Sequence, residues 1–252
     1  MGAVALLEAD PDLADSLPPG EREAASRQLV APALDLPVGL WDTSELGRQC
    51  GATAFGVLII DGLMTRTVTL AGRTTGEIVG IGDVLRPWEV EEGVPPVPFE
   101  VQWHVLTVSR LAVLDRRLIA AAARWPSLLS EIAHRAVKRS RSLSLQLALG
   151  QVPRVDGRLL LLFWRLADRW GRVTPDGIVV PLRLTHETLA ALVAARRPSV
   201  TSALGRLSHK ELLRRTDVGW LLSPTVEDCL GEFLGAQDAR LSSSSASGTS
   251  IA

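Results

Sequence analysis

Residues 184–207 carry two apolar stripes at helical spacing with almost nothing between them. Leu189, Leu192 and Val193 form the first, and Val200, Ala203, Leu204 and Leu207 the second. Only Ala194, Ala195 and Arg196 separate them. Two short helices joined by so short a break must cross steeply, as in a helix-turn-helix. Pro198 falls in the first turn of the second helix, where its missing N–H leaves no bond unmade. The outer face of that helix then presents Arg197, Thr201, Ser202 and Gly205. Arginine can address guanine with two hydrogen bonds, hydroxyls can reach bases or phosphates, and small residues let a helix sink into the major groove. An αα-corner inside an ordinary helical domain has the same apolar pattern, so further features must decide.

Charge supplies one. The net charge of −1 hides a polarised chain. Residues 1–115 hold 7 Lys and Arg against 17 Asp and Glu, a net of −10. Residues 116–222 hold 19 against 7, a net of +12. A basic block beside an acidic one is the footprint of a nucleic-acid partner for one part of the chain only, and this block contains the helix-turn-helix. With 252 residues, 46% of them hydrophobic, the chain can bury one large core or two small ones. No apolar run approaches the 18 residues of a membrane span. Glu8, Asp10, Asp12 and Asp15 stand where a signal peptide would be basic. Cys50 and Cys229 lie too far apart for a disulfide framework or a thiolate metal cluster. A reducing cytoplasm is the expected compartment.

Taken in order, the acidic stretch 1–28 breaks at Pro18-Pro19-Gly20, with short helices expected around Leu6-Leu7 and Leu13-Ala14 and over Glu21–Gln28. Val30–Leu36 reads as the first strand, and strands dominate from Cys50. Phe55–Ile60 and Met64–Leu70 flank Asp61-Gly62, a strong hairpin signal. Ala71-Gly72 marks another turn; Thr74–Ile81 and Val101–Val108 are further strands, and the Pro- and Glu-rich stretch 91–98 is a loop. Short strands at this spacing suggest a small antiparallel barrel or jelly roll. Helices are expected over Leu111–Arg124 and Ser127–Leu149, then a linker from Gly150 to Pro153 and a helix over Val155–Trp170 whose apolar face is Leu159, Leu162, Phe163 and Leu166. Arg172–Val180 is a hairpin around Pro175-Asp176-Gly177, and Leu212–Leu222 a second hairpin turning at Asp217-Val218-Gly219. A hairpin directly after a recognition helix is a wing. Residues 241–252 are Ser-rich and expected to be disordered.

This order of parts, an α+β chain with an acidic β-roll, a long helix and a basic winged helix-turn-helix, resembles the CRP/FNR family of bacterial transcription regulators over residues 25–222. Leu184–Leu207 and Asp156-Gly157-Arg158-Leu159 are the most specific stretches. The expected divisions are a β-roll over 1–114, connecting and dimerisation helices over 115–150, a winged DNA-binding domain over 151–225 and a largely disordered tail over 226–252. The resemblance implies a homodimer joined along the long helix, through Leu129, Ile132, Ala136 and Leu143; the seam could also pack on its own barrel, and the two are compatible. It implies duplex DNA as partner, with RNA polymerase a candidate further one. The candidate DNA-contacting residues are Arg196, Arg197, Ser199, Thr201, Ser202, Arg206, Arg214 and Arg215. By position Arg197 matches the family's main base-reading arginine. Pro198 stands where many members have an acidic base reader, and Ser202 where some have a second arginine, so a preferred sequence does not carry over.

The sensor half departs from the family's cyclic-nucleotide-binding members. They place a Gly-Glu pair shortly after a Pro-Gly-Asp turn, then an arginine beside a small residue. Here Val84-Leu85-Arg86-Pro87-Trp88 follows Gly82-Asp83, and Phe99-Glu100-Val101 offers no arginine. A cyclic nucleotide is therefore not expected, nor any other cofactor. Iron–sulfur sensing would need about four cysteines, and a lone His104 in a strand reads as structural rather than as a haem ligand. The expected function is a homodimeric, sequence-specific transcription regulator. The alternative is an effector-binding or protein-interaction module whose winged helix contacts protein. Four scattered histidines and no nucleophile–base or metal spacing leave nothing for an enzyme.

Overall fold

Two long paired strands, of 15 and 16 residues, form the centre of the first of two units, residues 1–145. The computed structural model describes residues 2–89 and 97–234, apart from the side chains of 52 and 232–234. Along this unit run β1 (Gly2–Ala5), α1 (Leu6–Ala9), α2 (Pro11–Asp15), α3 (Pro19–Gln28), β2 (Val30–Leu36), β3 (Gly39–Trp41), α4 (Ser44–Cys50) and a 3-10 turn at Gly51–Thr53. Then follow β4 (Gly56–Leu70), β5 (Arg73–Gly80), β6 (Val84–Leu85), β7 (Phe99–Leu114), α5 (Arg116–Ala122) and α6 (Pro126–Gln151), whose last turns enter the second unit. The seven strands form one antiparallel sheet in the order β1-β2-β7-β4-β5, with β3 on β7 and β6 on β4. The antiparallel roll expected for this half is thus present, and β1 and α4 add to the elements expected.

The sheet is covered on both faces, and this corrects the helix expected from Leu111. Val57, Ile59, Leu111 and Val113 enter a core with Met64, Val79, Trp103 and Val105. Their neighbours Leu58, Ala112 and Leu114 enter another with Leu6, Leu13, Leu29, Leu118 and Leu128. A strand buried on both faces loses the polar alternation that marks it in sequence. Leu111–Leu114 is therefore the end of β7. The helix begins only at Arg116, capped by Asp115, whose Oδ1 accepts the Leu118 amide hydrogen bond at 2.8 Å.

Asp61-Gly62 is not a hairpin turn. β4 continues through it, and the pairing with β7 slips between Ile59 and Met64. Gly62 has φ +98°, and a Cβ there would lie 2.1 Å from Ser109 Oγ. The glycine makes a bulge rather than a reversal, and bulges bend a strand and tighten its twist. Leu63–Leu70 can then pair with β5 while Val57-Leu58 pairs with β6. The reversal comes at Ala71-Gly72, both at positive φ (50° and 72°), as a two-residue hairpin turn requires.

Helix α6 turns its first half toward the second of these cores. Leu128 and Ile132 are fully buried there and Leu129 partly. Arg135, one turn on, bonds Asp10 and Glu131, and Arg139 bonds Glu77. Burial opposes the charge on Arg135, but the Asp10 and Glu131 carboxylates outweigh it and push its pKa up. Ile132 thus belongs to its own chain's core, which corrects its expected place in a dimer seam. Leu129 and Leu143 are half-buried and Ala136 is exposed.

The second unit, residues 146–252, contains the end of α6, then α7 (Val155–Trp170), β8 (Arg172–Thr174), β9 (Gly177–Val180), α8 (His186–Leu192), α9 (Arg197–His209), β10 (Leu213–Arg215), β11 (Trp220–Leu222) and α10 (Val226–Leu234). Its four-stranded sheet runs β10-β11-β9-β8. The expected linker yields Gly150 and Gln151 to α6, and the expected tail contributes helix α10, with Val226 buried. The Ser-rich stretch 241–252 and most of the 91–98 loop lie outside the described residues. Leu159, Leu162, Phe163 and Leu166 of α7 are buried, with the Phe163 ring 5.1 Å from that of Trp220.

Candidate nucleic-acid interface

Leu189, Leu192, Val193, Val200, Ala203, Leu204 and Leu207 are all buried, so both stripes face one core and the break between them is a true turn. Thr185 caps α8, its hydroxyl accepting from the Thr188 amide at 3.1 Å. The turn passes through Ala194 at φ +48°, a left-handed conformation that costs a side-chain-bearing residue about 1–2 kcal/mol. Arg158 of α7 holds this turn in place. Its Nη1 donates to the Val193 and Ala194 carbonyls, both at 3.1 Å, and its Nε to the Val152 carbonyl at 2.6 Å. Gln146 adds a bond to the Leu192 carbonyl and accepts one from Arg165 at 2.8 Å. Four carbonyls near the end of α8 and the start of α7 are thereby satisfied by side chains from α6 and α7.

With the turn fixed, α9 presents an uninterrupted polar face. Arg197, Ser199, Thr201, Ser202 and Arg206 are exposed along it, with Arg196 at its N-cap. Wing residues Arg214 and Arg215 are exposed as well, but successive strand residues point to opposite sides. Arg215 alone joins the helix-turn-helix. It lines an open crevice of about 510 Å³ with Thr185, His186, Glu187 and Arg197. Arg215 also borders a neighbouring hollow of about 280 Å³, beside Arg183 and Thr216. Glu187 Oε2 sits 4.0 Å from Arg197 Nε, a contact between two exposed groups that is worth little. His186 Nδ1 lies 2.9 Å from Thr201 Oγ1 and ties the start of α8 to the middle of α9.

Two departures from the expected set follow. Arg206 is engaged elsewhere: it binds the buried carboxylate of Asp156 through Nη2 at 2.8 Å and Nε at 3.3 Å. Thr185, His186 and Arg183 border the crevices and were not among the expected contacts. A Thr before a helical run is a cap signal, and it could have marked the start of α8 as part of the site.

A family model described as a Crp-like helix-turn-helix domain matches residues 157–223, the stretch from the first turn of α7 to the end of β11. Residues 157–223 are thus similar to a Crp-like helix-turn-helix domain. Solved structures of the same overall architecture extend the likeness beyond that domain. A CooA variant from Carboxydothermus hydrogenoformans superposes with a TM-score of 0.62 at 17% identity, over 81% of this chain and 88% of that one. FixK2 from Bradyrhizobium japonicum gives 0.58 at 12%, over 82% and 98%. A transcriptional regulator of the CRP/FNR family from Thermus thermophilus gives 0.56 at 18%, over 81% and 100%. At these identities the likeness is one of fold. No curated protein matches the sequence of this chain. Among its described residues no helix is long and apolar enough to cross a membrane.

Proposed function

We propose that this chain is a CRP/FNR-type regulator that binds DNA as a homodimer, with α9 in the major groove and the β10–β11 wing on the phosphate backbone. The observation that carries this reading is the shared crevice of Arg197 and Arg215, which sets a base-reading candidate and a phosphate-binding candidate side by side. At 13 residues α9 is about 20 Å long, and its exposed arginines and hydroxyls suit a groove about 12 Å wide. Arg196, Ser199, Thr201 and Ser202 complete the reading face, and Arg214 lies outside the crevice. A protein-docking role would not call for this concentration of exposed arginine and hydroxyl groups.

The seam of the homodimer lies along α6. Leu129, Ala136 and Leu143 recur at seven-residue spacing, and Ala133 and Ser140 alternate with them to give the 4–3 pattern of a two-stranded coiled coil. All five are uncharged and none is fully buried. Selection of bound sequences from random duplex DNA tests the whole reading. Paired half-sites related by a two-fold axis, about 10 base pairs apart or a multiple of that, should be enriched. Enrichment of no sequence would refute it.

A further inference from the structure

His186 is the first residue of α8, and the cap before it fixes where its ring starts. The Thr185 hydroxyl accepts from the Thr188 amide at 3.1 Å and lies 2.9 Å from the Thr188 hydroxyl. His186 is half-buried and borders the crevice of Arg197 and Arg215. Its Nδ1 lies 2.9 Å from Thr201 Oγ1. Thr201 follows Arg197 by one turn, so the two exposed side chains share a face of α9. The charged groups around the ring are Glu187 of its own helix, Arg197 of α9 and Arg215 of β10. Among the described residues its Nε2 has no partner.

One proton decides what Thr201 can offer a base. A hydroxyl has one hydrogen to donate and two lone pairs. If Nδ1 accepts that hydrogen, Thr201 is left as an acceptor only, and in the major groove it then suits the amino groups of adenine and cytosine. If Nδ1 carries a hydrogen and donates it, the Thr201 hydrogen is released toward the acceptors of guanine and thymine. In a neutral ring, a partner that accepts from Nε2–H leaves Nδ1 as the acceptor. A phosphate between Arg197 and Arg215 would be such a partner, because it accepts and cannot donate. A protonated ring has hydrogens on both nitrogens and must donate through Nδ1.

We propose, on the reading of α9 as the DNA-contacting helix, that His186 is a positioning residue whose protonation sets the specificity of Thr201 at one base. The test is selection of bound sequences from random duplex DNA at about pH 8 and about pH 5.5, a span over which histidine side chains titrate. At the higher pH, adenine or cytosine should exceed guanine or thymine about fivefold at one position of each half-site; at the lower, the difference should vanish or reverse. Thr201→Val keeps the shape of the side chain without its hydroxyl and should abolish both the preference and its pH response at that position alone. His186→Ala should abolish the pH response there. A tie between α8 and α9 with no part in reading would, once cut, weaken all sequences alike. Equal preference at both pH values in the wild-type chain, a pH response that survives His186→Ala, or an unchanged preference in Thr201→Val would each overturn the proposal while leaving α9 on DNA. Enrichment of no sequence by the wild-type chain would overturn the DNA reading and this proposal with it. The comparison of pH values needs no variant and stands even if a substitution unfolds the domain.

Discussion

Arg206 of α9 grips Asp156 of α7 through both carboxylate oxygens, at 2.8 and 3.3 Å. Asp156 is 3% exposed and has a second partner in Arg154 at 3.2 Å. The pair ties α9 to α7, so Arg206 acts first on stability. Arg206→Ala leaves a buried carboxylate with one exposed partner and should cost about 1–3 kcal/mol. A lower urea midpoint followed by circular dichroism would show it. An unchanged midpoint with weakened DNA binding would instead return Arg206 to the interface.

Arg197 and Arg215 share a crevice but should fail differently. Arg197→Ala should lose about 1–3 kcal/mol at the preferred site and relax one base position. Arg215→Ala should weaken all sequences alike and reduce the slope of log K against log salt by about one. Titrations on specific and scrambled duplexes at several salt concentrations separate the two. Unchanged preference in Arg197→Ala would mean that α9 does not read bases through this residue.

Ile132 and Ala136 are one turn apart on α6, and one is core while the other is exposed. Ile132→Asp places a charge inside the roll and should destabilise the chain by about 3 kcal/mol or more. Ala136→Glu should keep the stability of the roll and give a monomer at micromolar concentration by light scattering, through like charges meeting across the seam. Full stability with loss of the dimer in Ile132→Asp would place Ile132 in the seam after all.

Gly62→Ala should be among the most damaging small substitutions in the roll. The new methyl would meet Ser109 Oγ at 2.1 Å and the Ser109 backbone at 2.6 Å, at a φ that alanine rarely adopts. We expect a loss of about 2–4 kcal/mol, measured by urea unfolding. A loss below about 0.5 kcal/mol would mean that the bulge yields easily.

Burial, and after it the Asp115 carboxylate, push the Cys50 thiol up from its ordinary range. The folded chain thus favours the neutral thiol, and the thiolate is the reactive form. Alkylation of Cys50 by iodoacetamide at about pH 8 should lag behind that of glutathione and gain rate as pH rises through the thiol range. Mass mapping of the modified peptide measures this; a rate matching glutathione would contradict it.

What the sequence determined by itself was local. The helix Val155–Trp170, the strand Val30–Leu36 and the two helices around Ala194–Arg196 lie where periodicity and turn residues put them, because each depends on contacts within a few residues. Exposure of Arg197 and Ser202 followed from the same stripes. The tertiary structure decided matters that hang on partners far along the chain. Asp61-Gly62 has the chemistry of a hairpin, but Ser109 across the sheet makes it a bulge. Leu111–Leu114 has no strand alternation because a second core covers its outer face. Ile132 shares an apolar stripe with Ala136, and only the packing of Leu6, Leu13 and Leu29 turned it inward. Arg206 looks as free as Arg197 in a helical projection until Asp156, 50 residues earlier, claims it. Periodicity says which way a side chain points; burial and charge pairing, which are properties of the assembled fold, say what it meets there.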